Sequence, residues 1–368
     1  MVTKNLLWIT KAIDQKLNAP FEIEKDSEYY PDLRDKYLTL LSDAKKANAD
    51  AESIRIIEKF RDRIQTAVRY YYKGNIISSH QKIKNLVKDC IDNPFAVSEV
   101  NKSFAFPGAG PEVQFFRARL GNPRGFKAKD MLHLPYSLRG RTGNYRFSIP
   151  GVPSLYLGNS SYACWIELGR PAEVEFNVSP VLVDEKQRIL NLAVMNRDFL
   201  HLNDGEANRV HTWLKLLMLM IATSYRIKEQ GRTFKSEYIV SQSIMLACKQ
   251  LGLDGVAYYS HQVTDQVFAG AAVNVALFAE YKFGQEYSDI CNHIMIGNSF
   301  NYQTFKQLGF ANTDAAYELR TAQAGTRTII GSYDRQYRYG MTDFCRFDKF
   351  LFNGWKREDI TWGNALSE

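Results

Sequence analysis

The chain has 368 residues, more than one average domain, and its hydrophobic fraction of 45% and charged fraction of 24% are ordinary for a globular protein. No run approaches the roughly 18 apolar residues of a membrane span, and the N-terminus makes a poor signal peptide. We therefore expect a cytoplasmic protein without a membrane partner. The five cysteines are scattered and odd in number, which argues against a disulfide framework and a structural zinc site, so we expect no metal.

The net charge of +7 is concentrated in one stretch. Between Arg117 and Arg146 the chain has six Arg and two Lys against one Asp, a local charge of +7, so the rest of the chain sums to zero. Because arginine pairs well with two phosphate oxygens, this pattern favours a local phosphate site over a diffuse nucleic-acid surface. A solvated basic face is the alternative interpretation.

Residues 1 to about 93 have the pattern of helices. Apolar residues such as Ile57, Phe60 and Ile64 recur at helical spacing, and Gly74 is a C-terminal stop. The segment has no cluster of polar groups typical of catalysis. We predict an all-helical N-terminal domain over 1–100 that serves as a lid or scaffold, with a sensor or partner-binding module as the alternative.

The rest of the chain mixes strands and helices. The Pro- and Gly-rich stretch 101–112 is predicted to be a linker or entry loop. Strands are predicted at 113–119, 154–158, 174–184, 255–260 and 273–281. Helices are predicted at 160–169, 206–229 and 236–251. This order indicates an α+β fold and lacks the Gly-rich phosphate loop of a Rossmann or P-loop core. We assign 101–285 to a catalytic domain and 286–368 to an extension that packs on it, although its Arg/Tyr-rich run could instead stack on nucleic acid.

The most informative stretch runs from 114 to 169. It places Arg117 on a strand, Tyr156 at the end of a second strand, and Glu167 on a helix that begins at Ser160. Guanidinium, phenol and carboxylate groups together suit an anionic ligand with a planar ring and a sugar bond to break. Cys164, between Ala163 and Trp165, is predicted to be a buried core thiol.

These residues, in this order, resemble the RES domain family. The resemblance rests on Arg117, the run 146–156, the spacing from Tyr156 to Glu167, the run 253–260 ending in Ser260, and the run 274–278. It covers roughly residues 113 to 281. The Arg, Glu and Ser of the family's name correspond to Arg117, Glu167 and Ser260.

The resemblance implies a fold and an activity. Proteins of this family are toxins of bacterial toxin–antitoxin pairs that consume NAD by hydrolysis or phosphorolysis, with an ADP-ribosyltransferase-like split sheet. It implies that Glu167 stabilises charge on the ribose and that Arg117, with Arg146 as second candidate, binds the pyrophosphate. Tyr156 would contact the nicotinamide ribose, and Ser260 would bond the amide or position the nucleophile. NAD would be the substrate and no metal would be needed.

Three functions remain open from the residues. The first is an NAD-degrading enzyme acting as a toxin or defence effector, and the second is a mono-ADP-ribosyltransferase that modifies a macromolecule. The third is an inactive RES-like scaffold or nucleic-acid-binding protein, which the confined charge argues against. An antitoxin or immunity protein and a second copy of the chain are candidate partners. This chain differs from the small toxins of the family in two ways. It has helices before residue 93, and 92 residues separate Glu167 from Ser260.

Overall fold

The structure is a computed structural model of the chain. It describes residues 7–17, 19–92, 96–99, 113–121, 124–184, 186–193, 207–229, 231–262, 272–309, 339, 342–353 and 366. The predicted linker over 101–112 and most of the Arg/Tyr-rich run lie outside the described residues.

The described residues form helices and strands in mixed order. The helices are α1 (Leu7–Lys16), α2 (Tyr29–Lys46), α3 (Ala51–Tyr72), α4 (Ile76–Ile91), α5 (Ser161–Glu167), α6 (Ala207–Thr223), α7 (Ile239–Gln250), α8 (Tyr302–Gly309) and α9 (Asp343–Asn353). The strands are β1 (Phe21–Glu22), β2 (Val97–Glu99), β3 (Val113–Leu120), β4 (Ser154–Gly158), β5 (Phe176–Val183), β6 (Arg188–Asn191), β7 (Tyr225–Arg226), β8 (Gly255–Tyr259), β9 (Val273–Phe278), β10 (Ile294–Ile296) and β11 (Phe300–Asn301).

The chain divides into two compact units that are discontinuous in sequence. The first unit takes its described residues from 1–98, 143–150 and 188–261, and the second from 99–142, 151–187 and 262–368. This grouping differs from the predicted boundaries at residues 100 and 285. The physical reason is that the N-terminal helices share their core with α6 and α7, which come from the middle of the chain.

The first unit is mainly helical. Helix α3 begins after Asp50, whose side chain accepts a 2.8 Å hydrogen bond from the main-chain N–H of Ser53. Its apolar residues at helical spacing, including Ile57, Phe60 and Ile64, are fully buried. The turn into α4 contains Gly74, which has the left-handed φ of +76° that favours glycine.

Helix α6 packs against α2, α3, α4 and α7, and its residues from Leu216 to Thr223 are buried. The hydroxyls of Tyr29 and Tyr37 on α2 donate to main-chain carbonyls of Ala222 and Met218. The sequence predicted this helix to reach 229, but it ends at Thr223. The chain then forms β7, which pairs with β1. The Arg146 guanidinium donates hydrogen bonds to the main-chain carbonyls of Thr223, at the end of α6, and Tyr225, in β7.

The second unit is built on an antiparallel sheet of order β10-β5-β3-β4-β9, with β11 also paired to β5. Every residue of β5 is buried, which indicates that both faces of this strand are covered. Helices α5 and α9 cover one face, where Phe116, Phe176 and Phe347 belong to one buried cluster. The described residues of the C-terminal segment thus pack within this unit.

The mixed α+β class is confirmed. The described part of residues 1–100 is mainly helical rather than all-helical, because it also contains the short strands β1 and β2. The predicted strand 154–158 is observed with the same ends, and the other four strands differ by up to three residues at either end. The helices predicted at 160–169 and 236–251 are observed at Ser161–Glu167 and Ile239–Gln250. The ADP-ribosyltransferase-like arrangement stays a prediction. Within the described ranges, no helix is both long and apolar enough to cross a membrane.

Candidate functional site

The candidate site in the second unit is built around Glu167, the last residue of the short helix α5. Ser160 begins the helix by accepting a 2.9 Å hydrogen bond from the N–H of Ala163. Ser161, Ala163, Cys164 and Ile166 face the interior and are buried, whereas Glu167 is exposed. Helical periodicity therefore places the carboxylate at the protein surface while the rest of the helix anchors it.

Gly158 allows α5 to lie close to the sheet. A Cβ at this position would lie 2.9 Å from the Cys164 sulfur and 3.0 Å from the Ala163 Cβ. Such distances are shorter than van der Waals contact, so only glycine fits without displacement of the helix. The close approach brings the end of α5 to the neighbouring strand β9.

Gly158→Ala is expected to destabilise the protein by about 1–3 kcal/mol, because the new methyl group would push α5 off the sheet. A lower midpoint of urea-induced unfolding would measure this loss. Gly140→Ala is the matched control, because a Cβ there meets no atom within 4 Å. Equal midpoints for the two variants would contradict the close packing of α5 on β4.

Asn274 holds the candidate carboxylate. It lies on β9 directly opposite Gly158, and its Nδ2 donates a 2.6 Å hydrogen bond to Glu167 Oε1. The asparagine is 4% exposed, so its amide is held by the sheet, and within the described residues Oε2 of Glu167 accepts no hydrogen bond. The carboxylate is thus fixed through one oxygen and can offer the other to a ligand.

In the sequence, Asn274 is part of the run 274–278, but the pattern assigns it no role. The available signal was a single amide side chain in an otherwise apolar strand, Val273–Phe278, all of which is buried. A buried amide requires hydrogen-bond partners, so such a residue indicates a polar contact from a neighbouring element. The identity of that partner depends on the packing of α5, which the strand pattern does not contain.

The chain leaves α5 through two residues with left-handed backbone. Gly169 has a φ of +81° and Arg170 a φ of +58°, and Arg170 is one of two non-glycine residues with positive φ in the described chain. The Arg170 N–H donates to the carbonyl of Trp165, and its guanidinium donates to that of Gln262. A non-glycine residue in this conformation is uncommon and here ends the helix immediately beyond Glu167.

Arg117 and Glu167 approach the sheet from opposite faces. Phe116 pairs with Gly158 and packs in the cluster under α5, so the alternation along β3 directs Arg117 to the other face. Arg117 Nη1 donates to the main-chain carbonyl of Tyr156 at 2.9 Å, and its Nε donates to that of Met131 at 3.2 Å. The structure therefore connects Arg117 to the site through the main chain of β4.

Arg119 shares the face of Arg117, as its spacing predicts. Its Nη1 donates to the carbonyl of Asp130 at 2.7 Å, and its guanidinium lies over the ring of Phe126. Farther along the basic stretch, Arg139 donates to the carbonyl of Gly151. These arginines satisfy carbonyls of irregular segments, a function that neither the phosphate-site nor the basic-face interpretation anticipated.

Tyr156 lies on the α5 side of the sheet. It is two residues before Gly158 on β4, so both positions face the same way, and it is partly buried. Among the residues predicted from sequence, the structure thus brings Tyr156 and Glu167 to one face of one sheet. The main-chain carbonyl of Tyr156 also accepts the hydrogen bond from Arg117.

Arg146 and Ser260 belong to the first unit. The Arg146 guanidinium lies over the ring of Tyr238 at 5.4 Å, in addition to its bonds to the carbonyls at the end of α6. Ser260 follows β8 and is 4% exposed. Their predicted contacts with the pyrophosphate and the nicotinamide stay predictions.

Buried histidines and cysteines are poor acid–base groups in this chain. Burial lowers the pKa of His133, whose Nδ1 contacts the carbonyl of Leu134 and whose Nε2 accepts from the N–H of Ser288, as in a neutral imidazole. Burial and the nearby Arg146 and Arg226 lower the pKa of His261. Cys164 is buried, which confirms the predicted core thiol, and burial raises its pKa to about 12. Among the described residues, no group of three His, Cys, Asp or Glu could hold a metal ion.

Fold and site together define an α+β protein with an exposed carboxylate, held by a buried amide, at the end of a helix packed on an antiparallel sheet. The chain is similar to a Bacillus subtilis (strain 168) protein named "Putative toxin YopC", with 30% identity over 258 residues. The match covers 63% of this chain and 54% of the relative, so the chain spans about half the length of that protein. No family model matches the chain, and no solved structure matches it significantly.

Proposed function

We propose that the protein is an NAD-degrading enzyme that cleaves the bond between nicotinamide and ribose, by hydrolysis or phosphorolysis, and acts as a toxin. The observation that carries the proposal is the exposed Glu167 carboxylate, which the buried Asn274 amide holds at 2.6 Å. The similarity to a protein named as a toxin supports the toxin role, and the resemblance to the RES family supports the cleavage of NAD.

The chemistry requires a fixed negative charge. As the nicotinamide bond breaks, the ribose acquires positive charge in an oxocarbenium-like transition state. A carboxylate already held in place stabilises that charge without reorganisation, an effect of about 3 kcal/mol for comparable preorganised contacts. The nicotinamide leaves as a neutral molecule, so the absence of a nearby acid–base histidine among the described residues does not conflict with this reaction.

The other residues near Glu167 have roles that follow from their positions. Tyr156, on the same face of the sheet, offers an aromatic surface and a phenol to the sugar or the ring. Arg117 holds the carbonyl of Tyr156 and thereby fixes β4. The predicted contact of Arg117 with the pyrophosphate stays a prediction, because its guanidinium lies on the face of the sheet opposite to Glu167.

The direct test is incubation of the purified protein with NAD, with and without inorganic phosphate, and separation of the products by chromatography. Nicotinamide with ADP-ribose indicates hydrolysis, and a phosphorylated ADP-ribose that appears only with phosphate indicates phosphorolysis. Release of nicotinamide only when a protein acceptor is added would show ADP-ribosyl transfer. A folded sample that releases no nicotinamide under any of these conditions would overturn the proposal.

Asn274→Asp is expected to shift the acidic limb of the kcat–pH profile to higher pH. The new carboxylate would lie beside Glu167, and the repulsion between like charges raises the pH at which the pair loses its second proton. Because the reaction requires ionised Glu167, activity would be lost at a higher pH as the solution is acidified. Asn274→Ala, which adds no charge, should lower kcat without moving that limb. Identical limbs for wild type and Asn274→Asp would argue against the role of Glu167.

A further inference from the structure

The C-terminal helix α9 contacts the beginning of α5, at the end opposite to Glu167. The ring of Phe344 lies 5.5 Å from that of Tyr162 and 5.3 Å from that of Trp165. The hydroxyl of Ser161 donates to the carbonyl of Phe344 at 3.3 Å. Helix α9 therefore supports α5 along the side that does not touch the sheet.

Asp348 on α9 completes this contact with hydrogen bonds. Its Oδ1 accepts a 2.9 Å hydrogen bond from the main-chain N–H of Ser161, and its Oδ2 accepts one from the hydroxyl of Tyr339. The N–H groups in the first turn of a helix have no partner within the helix. Ser160 satisfies that of Ala163, and Asp348, from a distant part of the chain, satisfies that of Ser161.

We propose that Asp348 is a positioning residue, which fixes Glu167 by capping the first turn of α5. The inference rests on the proposed function for its catalytic consequence. With seven residues α5 is about 10 Å long, so a small rotation at its start displaces the carboxylate at its end. The hydrogen bond from Asn274 holds the carboxylate, and the bond from Ser161 to Asp348 holds the helix that presents it.

The contact has a defined electrostatic environment. Burial raises the pKa of Asp348 to about 7, while hydrogen bonds from Ser161 and Tyr339 and the charge of Lys349 oppose that rise. The neighbouring ionisable groups are Cys164 on α5, Cys345 on α9, Tyr302 on α8 and Tyr339. Burial raises the pKa of each, and the charge of Asp348 adds to that rise. Because the pKa of Asp348 is higher in the folded than in the unfolded protein, the neutral acid stabilises the folded state at low pH. This stabilisation is lost as the pH rises through about 7.

The first experiment compares hydrogen exchange of the α5 amides in wild type, Asp348→Ala and Asp348→Asn, at about pH 6 and about pH 8 after correction for intrinsic exchange rates. We expect faster exchange in Asp348→Ala at both pH values. Wild type should lose protection between the two, whereas Asp348→Asn, which mimics the neutral acid, should not. Asp343→Asn on the same helix is the control, because its side chain is 46% exposed and pairs with Arg346. Unchanged exchange in Asp348→Ala would overturn the capping role.

The second experiment measures NAD cleavage by the same variants. Asp348→Ala should lower kcat by about tenfold or more with KM within about twofold, since the displaced group acts in the chemical step. Near pH 6, Asp348→Asn should have a kcat close to that of wild type. Its kcat–pH profile should lack the change that wild type shows near pH 7. An active wild type with an equally active Asp348→Ala would overturn the positioning role alone. A wild type that never cleaves NAD would overturn the proposed function, and exchange would still decide whether Asp348 caps α5.

Discussion

Glu167→Gln is expected to lower the rate of nicotinamide release by about 100- to 1,000-fold, since the variant has lost the charge that stabilises the developing cation. Stability should hardly change, because residue 167 is exposed and glutamine retains an oxygen to accept the hydrogen bond from Asn274. We therefore expect kcat to fall while the unfolding temperature stays within about 1 °C of that of wild type. Steady-state kinetics and a thermal unfolding curve on the same preparation measure both.

Glu175→Gln is the matched control for this substitution. Glu175 is also an exposed glutamate of the second unit, and it lies outside α5. Its replacement should leave kcat and KM at wild-type values. Turnover by Glu167→Gln that is close to that of Glu175→Gln would exclude Glu167 from the reaction, even if the wild type degrades NAD.

The largest expected loss of stability follows from Arg232→Ala in the first unit. The Glu237 side chain is inaccessible to solvent, and Arg232 Nη2 lies 2.5 Å from its Oε1. The same guanidinium also donates to Asp26, which in turn accepts from the N–H of Ser236. Removal of the arginine leaves a buried carboxylate without its countercharge, which typically costs about 3–5 kcal/mol. Urea-induced unfolding would show this as a large decrease in midpoint.

Two further variants show whether the loss of stability comes from the buried ion pair. Arg55→Ala removes an exposed arginine that pairs with Glu52 and should leave the midpoint unchanged. The double variant Arg232→Ala with Glu237→Gln should be more stable than Arg232→Ala alone, because no unpaired buried carboxylate remains. If Arg232→Ala shifts the midpoint no more than Arg55→Ala does, the buried pair makes no contribution of this size.

Elements defined by local pattern were predicted well from the sequence. Strand β4 and helices α3, α5 and α7 follow from apolar periodicity and from residues such as Ser160 and Gly74. Helix α6 was predicted too long, because its end depends on the pairing of β7 with β1 and on bonds from Arg146, all of which involve distant residues. Periodicity carries no information on such partners.

The site shows the same limit. Sequence reasoning identified Glu167 on a short helix, and the structure shows it exposed, but Asn274 and Asp348 hold it and its helix from 107 and 187 residues away along the chain. The basic stretch is another case. A count of charges cannot distinguish arginines that face a ligand from arginines such as Arg117 and Arg119, which donate to the protein's own carbonyls.

The discontinuous first unit has a consequence for synthesis on the ribosome. Helices α2, α3 and α4 leave the ribosome early, but α6 and α7, which cover their apolar faces, come from residues 207–250. Between them the strands β3, β4 and β5 of the other unit must emerge. A chain truncated before α6 would lack α6 and α7 and would expose the apolar surface of α3 and α4 that packs against them, a surface on which chaperones and proteases act. We therefore expect incomplete translation products to be degraded rather than to persist in the cell as partly folded fragments.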